Sequence, residues 1–212
     1  MRGLLITFEG VEGSGKTTQA LRLVEYLKGY EFPVVFSREP GGTQIGERIR
    51  EILLDPESKG MHRLTELFLY LASRNQHTRE KILPALKSGS IVVLDRYADS
   101  SVAYQGYGRE LGEKLVSRLN KLATAGLRPD LTIVIDLPVA VGQQRKAGGS
   151  PDRLEQELIE FHERVRTGYL KLARRAAGRC KLVNGDQPED QVALRIRELV
   201  EDFLIRKGVI KK

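Results

Sequence analysis

The sequence predicts an α/β protein in which a five-stranded parallel sheet is covered by helices on both faces. Short apolar runs alternate with longer amphipathic segments, which is the pattern of parallel strands joined by helical crossovers. No internal repeat or low-complexity tract interrupts this alternation. The length of 212 residues suits one domain, and we expect a single domain over residues 1–212.

Five short segments predict the strands, and four of them are rich in branched apolar residues. They are Leu4–Glu9, Val34–Ser37, Ile91–Asp95, Leu131–Asp136 and Lys181–Val183. In open parallel sheets, ligands bind beyond the carboxyl ends of the strands. We therefore expect functional residues directly after these segments.

Six amphipathic segments predict the helices. They are Thr17–Lys28, Gly46–Leu54, Thr65–Lys87, Glu113–Ala123, Leu154–Ala176 and Glu189–Lys207. Gly29 and Gly89 are typical helix stops, and Asp186 with Pro188 is a typical helix start. Pro84 is expected to kink or split the long third helix, because proline cannot donate the backbone hydrogen bond of a helix interior.

The loosest segment is the Ala-Gly-Gly-Ser-Pro stretch of residues 147–151. Because Arg145, Lys146 and Arg153 flank it, a short mobile lid over residues 143–154 is one interpretation. A solvated linker is the other, and composition alone does not separate the two.

Composition and charge narrow the class of protein and of partner. Residues are 41% hydrophobic and 30% charged, and no stretch approaches the ~18 apolar residues of a membrane span, so we expect a cytoplasmic location and no membrane partner. Cys180 is the only cysteine. The net charge is +7, but no ladder of aromatic residues accompanies the basic segment 145–181. This favours phosphate-bearing small molecules over nucleic acid as partners.

One motif indicates nucleotide chemistry directly. The segment Gly-Val-Glu-Gly-Ser-Gly-Lys-Thr of residues 10–17 fits the phosphate-binding loop pattern, with a strand before it and a helix after it. Glycines let backbone N–H groups converge on phosphate oxygens, and Lys16 reaches the β- and γ-phosphates. The sequence therefore predicts an ATP site. Its residues are Gly10, Val11, Glu12, Gly13, Ser14, Gly15, Lys16, Thr17 and Thr18.

Two oxygen-bearing residues predict a Mg²⁺ site beside that loop. Thr17 is the hydroxyl position of the motif, and Asp95 closes the third predicted strand, where a carboxylate typically holds the nucleotide's metal. A helix or loop cap is the alternative role for Asp95. The Asn-Lys-x-Asp base reader of guanine-nucleotide switches is missing, which disfavours that class.

A group of arginines points to an anionic phosphoryl acceptor. Arg38 follows the second strand and Arg96 the third, while Arg74 lies four residues after Tyr70 on one helix face. Guanidinium groups match phosphate oxygens bidentately, and a tyrosine ring beside an arginine suits a nucleobase. A phosphate acceptor at neutral pH needs no general base, so catalysis reduces to alignment and charge neutralisation.

Several longer motifs extend over nearly the whole chain. They are Phe-Glu-Gly with the phosphate-binding loop at 8–18, Arg-Glu-Pro-Gly-Gly-Thr at 38–43, Asp-Arg-Tyr at 95–97 with Ala-Tyr-Gln-Gly at 103–106, and Asp-Arg at 152–153. Together, these motifs resemble those of the bacterial thymidylate kinases. The resemblance implies the three-layer P-loop NTPase fold with the first strand central. It also implies transfer of the ATP γ-phosphoryl group to dTMP, giving dTDP, with Mg²⁺ in a homodimer.

The resemblance implies roles for residues around the acceptor's phosphate and sugar. Arg38 and Arg96 correspond to clamps on the phosphate, and Pro40 lies in the same substrate-binding motif. Glu12 corresponds to the carboxylate that contacts the 3′-hydroxyl. Tyr104 corresponds to the aromatic residue packed against the deoxyribose.

For the base, Arg74 resembles the residue that reads the thymine edge, with Ser101 and Gln105 nearby. The stacking position, usually phenylalanine in the family, is Tyr70. This departure keeps the ring face but adds a phenol that needs a hydrogen-bond partner when buried.

A second departure concerns the catalytic arginine. Some relatives carry it in the phosphate-binding loop, where this chain has Gly13, so the charge is expected from the lid. We rank Arg153 first and Arg145 second. The expected catalytic set is Lys16, Arg153, Arg145, Arg96 and Glu12.

Two other functions remain open from the sequence. A kinase for another nucleoside monophosphate or for a deoxynucleoside would keep the ATP site, and a deoxynucleoside would require a base such as Glu39. A nucleic-acid-dependent ATPase would instead use the basic region from Arg145 to Lys181 as a docking surface.

Overall fold

The computed structural model describes residues 2–30 and 32–211, and it contains the expected parallel sheet. The strands are β1 (Leu4–Glu9), β2 (Val34–Arg38), β3 (Ile91–Asp95), β4 (Leu131–Asp136) and β5 (Cys180–Asn184). Their order is β2-β3-β1-β4-β5 and every pair is parallel. The strand that precedes the phosphate-binding loop is therefore central, as the resemblance implies.

Helices surround the sheet. They are α1 (Lys16–Lys28), α2 (Gln44–Leu54), α3 (Arg63–His77), α4 (Leu83–Lys87), α5 (Ala98–Ser101), α6 (Glu113–Ala123), α7 (Val139–Lys146), α8 (Ile159–Arg175) and α9 (Glu189–Arg206). Wider π-helical turns follow α3 at Thr78–Ile82 and α5 at Val102–Gly108, and a 3₁₀ turn occupies Pro56–Ser58.

Alternate residues of β1 face the two helical layers. Ile6 and Phe8 pack with apolar residues of α1 and α9, including Leu23 and Ile196. Leu5 points to the other face and joins a cluster under α4. Both faces of the sheet are therefore buried, which explains why the strands are nearly continuous apolar runs. The predicted fold class is confirmed.

Two predicted helices differ in detail. The third is interrupted by the π-helical turn Thr78–Ile82, and Pro84 lies in the first turn of α4 directly after it. The wider turn accommodates a residue that has no N–H to donate and whose ring crowds the preceding turn. The fifth was predicted from Leu154, but α8 begins at Ile159. Asp152 explains the difference, since its carboxylate accepts from the backbone N–H groups of Leu154 and Glu155 and favours a turn.

Three strand ends converge at one edge of the sheet. Phe8 pairs with Asp95 and Arg38 pairs with Asp95 in register, so the loops after β1, β2 and β3 leave the sheet side by side. None of the described helices is long and apolar enough to cross a membrane.

Candidate active site

The loop between β1 and α1 has a backbone that only glycine tolerates at several points. Gly10, Gly13 and Gly15 have positive φ angles of 145°, 72° and 84°. A Cβ on Gly13 would lie 2.2 Å from the carbonyl oxygen of Gly142 in α7, and one on Gly10 would lie 2.4 Å from that of Ile135. The loop therefore combines left-handed turns with close packing, as a phosphate-binding loop requires.

Lys16 lies at the first position of α1 with its ammonium group inside this loop. Its Nζ donates to the carbonyl oxygen of Val11 at 2.7 Å and to Ser14 Oγ at 3.4 Å. Burial, and then the nearby charge of Arg96, lowers the pKa of Lys16 to about 8. Phosphate groups placed against it would restore the stability of its charged form.

Thr17 and Asp95 meet where a metal would be needed. The Thr17 hydroxyl donates to Asp95 Oδ2, while Oδ1 of the same buried carboxylate has no hydrogen-bond partner within the described parts of the chain. A hydroxyl and a carboxylate oxygen with spare lone pairs are the donor set that Mg²⁺ prefers beside nucleotide phosphates. The residues present therefore fit Mg²⁺.

A cleft of about 530 Å³ opens beside the loop and collects most of the predicted site. All nine predicted substrate-binding residues line it: Glu12, Arg38, Pro40, Tyr70, Arg74, Arg96, Ser101, Tyr104 and Gln105. Lys16, Thr17, Asp95 and Arg145 line the same cleft. Residues from β1, β2, β3, α3 and the segment after α5 thus meet at one edge of the sheet.

Arg96 lies at the centre of a dense polar cluster. Its NH2 donates to Glu12 Oε1 at 2.5 Å and to the Tyr104 hydroxyl at 3.1 Å, and its guanidinium carbon lies 5.0 Å from the centre of the Tyr104 ring. Although burial opposes charge on Glu12, Arg96 and Lys16 lower the pKa of this carboxyl to about 2. Glu12 is therefore an anion held between two cations at the mouth of the loop.

Arg74 is almost completely enclosed by protein acceptors. Its Nε donates to Glu39 Oε2 at 2.7 Å and its NH2 to the Tyr97 carbonyl at 2.9 Å. NH1 donates to Ser101 Oγ and Asn120 Oδ1, each at 2.7 Å. Arg74 lines the cleft, and four of its five N–H groups have acceptors within the described residues, so one N–H is without such a partner there.

Tyr70 and Gln105 also line the cleft near Arg74. Tyr70 lines the cleft one helical turn before it, with 9% of its surface exposed. Burial raises the pKa of its phenol, which stays neutral at physiological pH. Gln105 is fixed by Glu66, whose Oε1 accepts from its amide at 3.0 Å.

Sequence reasoning missed Arg50 on α2. It lines the cleft beside Arg38, and its NH1 donates to the Pro40 carbonyl at 3.0 Å. Burial, and then the charge of Arg38, lowers the pKa of Arg50. The signal for it was modest: Arg50 follows Glu47 by three residues, on the helix directly after the motif that contains Arg38.

The two candidate lid arginines occupy different environments. Arg145, near the end of α7, lines the cleft and donates through NH1 and NH2 to the Gly185 carbonyl, each at 3.1 Å. Lys146 beside it contacts Glu155 and lies 3.9 Å from Glu12 Oε2.

Arg153 is not among the residues that line the cleft. Only 4% of its side chain is exposed, NH1 forms an ion pair with Glu66 Oε2 at 2.7 Å, and Nε donates to the Leu53 carbonyl at 2.8 Å. This geometry is that of an anchor for the lid base, and it favours Arg145 over Arg153, which we ranked first from the sequence, as the arginine that supplies charge to the cleft.

Comparison with known proteins agrees with this geometry. The family model described as thymidylate kinase matches residues 8–196. A thymidylate kinase of Symbiobacterium thermophilum is 45% identical over 96% of this chain and 95% of its own length, and one of Carboxydothermus hydrogenoformans is 48% identical over 95% and 98%. The crystal structure of thymidylate kinase from Ehrlichia chaffeensis superposes with a TM-score of 0.79 at 34% identity, covering 95% of this chain and 99% of that one. The chain belongs to the thymidylate kinase family.

Proposed function

We propose that this protein transfers the γ-phosphoryl group of ATP to dTMP, giving dTDP and ADP. The observation that carries the proposal is a second cationic group, separate from the phosphate-binding loop, in the same cleft. Arg38 and Arg50 lie close enough for one to lower the pKa of the other, and Arg38 NH1 is buried without a partner among the described residues. Two adjacent guanidinium groups of this kind are stabilised by a dianion such as a nucleotide monophosphate.

The remaining cleft residues suit a deoxynucleotide. Glu12, ionised beside Arg96, accepts a hydrogen bond from a sugar hydroxyl, and the Tyr104 ring lies against the sugar. Tyr70 offers a ring face for the base, and the remaining N–H of Arg74 offers one donor for its edge. The acceptor phosphate, with a second pKa of ~6, is already mostly dianionic at neutral pH and acts as the nucleophile without a base.

ATP and Mg²⁺ complete the proposed site. The glycine loop and Lys16 bind the nucleotide phosphates, and Thr17 with Asp95 would hold Mg²⁺. When bound, the ion neutralises charge on the phosphate oxygens. Arg145 and Lys146, which line the cleft from the lid, supply further positive charge opposite the loop.

We propose further that the protein is a homodimer. Three helices of one layer expose large apolar residues, namely Ile45 and Ile52 on α2, Phe68 on α3, and Leu115 and Leu122 on α6. Since α3 packs between α2 and α6, these residues lie on adjacent helices. Several large apolar side chains exposed on adjacent helices are typical of interfaces between subunits.

A coupled ADP-release assay tests the reaction. With ATP and Mg²⁺, we expect turnover on dTMP well above turnover on dUMP, dCMP, dGMP, AMP, thymidine or no acceptor. Lys16→Ala should abolish turnover, whereas Lys28→Ala, at the exposed other end of α1, should not. Preference for another monophosphate would reject dTMP as the substrate, and acceptor-independent hydrolysis stimulated by nucleic acid would reject the kinase.

A further inference from the structure

A buried carboxylate lies behind the cleft, outside the residues that line it. Glu9 is the last residue of β1 and is fully buried. Its Oε1 accepts from the Tyr97 backbone N–H at 2.9 Å. Its Oε2 accepts from Ser100 Oγ at 2.6 Å and from the Tyr169 hydroxyl at 3.0 Å.

The same two hydroxyl groups connect Glu9 to Arg96. NH1 of Arg96 donates to the Tyr169 hydroxyl at 3.0 Å and to Ser100 Oγ at 3.3 Å, and the two hydroxyl oxygens lie 2.8 Å apart. Each hydroxyl has a single proton, and the ionised carboxylate can only accept. In its ionised form Glu9 therefore accepts both protons and leaves the hydroxyl lone pairs facing Arg96.

We propose that Glu9, acting through Ser100 and Tyr169, is a positioning residue that orients the Arg96 guanidinium for the acceptor phosphate. The proposal rests on the function proposed above, in which Arg96 binds that phosphate. Glu9 does not touch the substrate. It fixes NH1 from the protein side, while NH2 remains directed towards Glu12 and the cleft.

Arg96 also has an unusual backbone conformation. Its φ angle is 69°, in the left-handed region that residues with a side chain rarely occupy. Apart from the two hydroxyl groups, NH1 donates to the Gly10 carbonyl at 3.0 Å. If these acceptors were not held in place, the Arg96 side chain would populate other rotamers, and the rotamer that binds phosphate would be less populated.

Opposing effects set the charge of Glu9. Burial, and then the Asp99 carboxylate, raises the pKa of Glu9 to about 7, while Arg96 opposes the increase. Burial therefore opposes the charge of Glu9, and the hydrogen bonds that Glu9 accepts from Ser100 and from the Tyr97 backbone, together with Arg96, favour it. The charges of Lys16 and Arg179 also interact with Glu9.

The test compares ligands with and without a phosphate. In Glu9→Gln we expect the Kd for dTMP, measured by calorimetry, to rise at least ~10-fold, as the loss of a hydrogen bond to a charged group predicts. The Kd for thymidine should change less than ~2-fold, because thymidine has no phosphate for Arg96 to bind. Ser100→Ala and Tyr169→Phe should shift the dTMP affinity in the same direction, and each should add little in combination with Glu9→Gln.

Thr7→Val is the matched control. Thr7 lies two residues earlier on the same face of β1 and is also buried, but its hydroxyl bonds to Thr132 Oγ1 at 2.8 Å. It should leave both affinities unchanged. Equal weakening of dTMP and thymidine in Glu9→Gln, or no weakening of dTMP, would overturn the positioning role.

Two further provisions keep the test decisive. If Glu9→Gln does not fold, Ser100→Ala and Tyr169→Phe decide the matter, since unchanged dTMP binding in both would reject the proposal. If the wild-type protein phosphorylates another monophosphate, the same comparison is made with that monophosphate and its nucleoside. Failure of the proposed substrate is thereby distinguished from failure of the role of Glu9.

Discussion

Positive charge in the cleft is concentrated on side chains that are already desolvated. Lys16 and Arg50 both have pKa values lowered by burial and by a neighbouring guanidinium group. Arg96 is largely buried as well, and burial alone would lower its pKa, but Glu12 together with Tyr104, Tyr169 and Asp95 raises it. The cleft therefore gains electrostatic stability when phosphate groups enter, since these anions replace lost hydration.

The pairing of Thr17 and Asp95 gives a prediction for metal dependence. Asp95→Asn keeps the shape but removes the charge and an oxygen lone-pair site, so the Mg²⁺ concentration for half-maximal activity should rise ~10–100-fold. Thr17→Ser, which keeps the hydroxyl, should stay near the wild-type value. Titration of Mg²⁺ at saturating ATP measures both. An unchanged Mg²⁺ requirement in Asp95→Asn would contradict the assignment of the metal site.

Individual residues differed in how far the sequence revealed them. The motif residues were predictable because strand ends in a parallel sheet meet at one edge, and the cleft contains them. Glu9 carried the same signal as Asp95, a carboxylate that closes an apolar strand, but its burial behind Arg96 depends on α8 packing from far along the chain. The ion pair of Arg153 with Glu66, 87 residues earlier, could not be predicted, because charge and lid position do not reveal so distant a partner.

How well each helix or strand could be predicted also depends on whether local sequence or distant packing determines it. The bounds of β1, β3, β4 and α6 match the predicted ones, because they depend on local apolar pattern and end signals. The short helix α7 lies beyond the six predicted helices, since it has only eight residues and few buried ones. Its position is set by Gly142, which packs against the carbonyl of Glu12 in the phosphate-binding loop.

The lid at the end of α7 leads to a second prediction: substitutions of Arg145 and Arg153 should have different effects. Arg145→Ala should lower kcat by ~10³-fold with little change in stability, by analogy with arginines that neutralise a transferring phosphoryl group. Arg153→Ala should instead reduce the free energy of unfolding by about 3 kcal/mol, because it breaks a buried ion pair with Glu66. Its effect on kcat should be the smaller of the two.

Steady-state kinetics and urea unfolding of both variants measure this separation. Arg195→Ala is the matched control, since Arg195 is exposed on α9 and forms a surface pair with Glu198. If Arg153→Ala loses more kcat than Arg145→Ala while remaining stable, our original ranking was right and the reversal is wrong.

At the scale of the whole molecule, the two helical layers that cover the sheet differ in composition. The layer of α1 and α9 covers one face with an apolar cluster. The opposite layer contributes Tyr70 and Arg74 to the cleft and also exposes apolar residues. Because α3 contains Phe68 and also Tyr70 and Arg74, which line the cleft, an interface on this layer would stabilise the helix that shapes one side of the cleft.

The proposed homodimer gives the last prediction. Phe68, on α3, is 55% exposed, and burying an aromatic side chain of this size contributes strongly to association. Phe68→Glu should therefore shift the protein from the mass of two chains to that of one in size-exclusion chromatography with light scattering. Leu194→Glu, at a similarly exposed position on α9 across the sheet, should leave the dimer intact.

A wild-type protein that stays monomeric at assay concentrations would reject the dimer. Dissociation by Leu194→Glu but not by Phe68→Glu would place the interface on the α1 and α9 layer and remove the structural link between subunit contact and the base pocket.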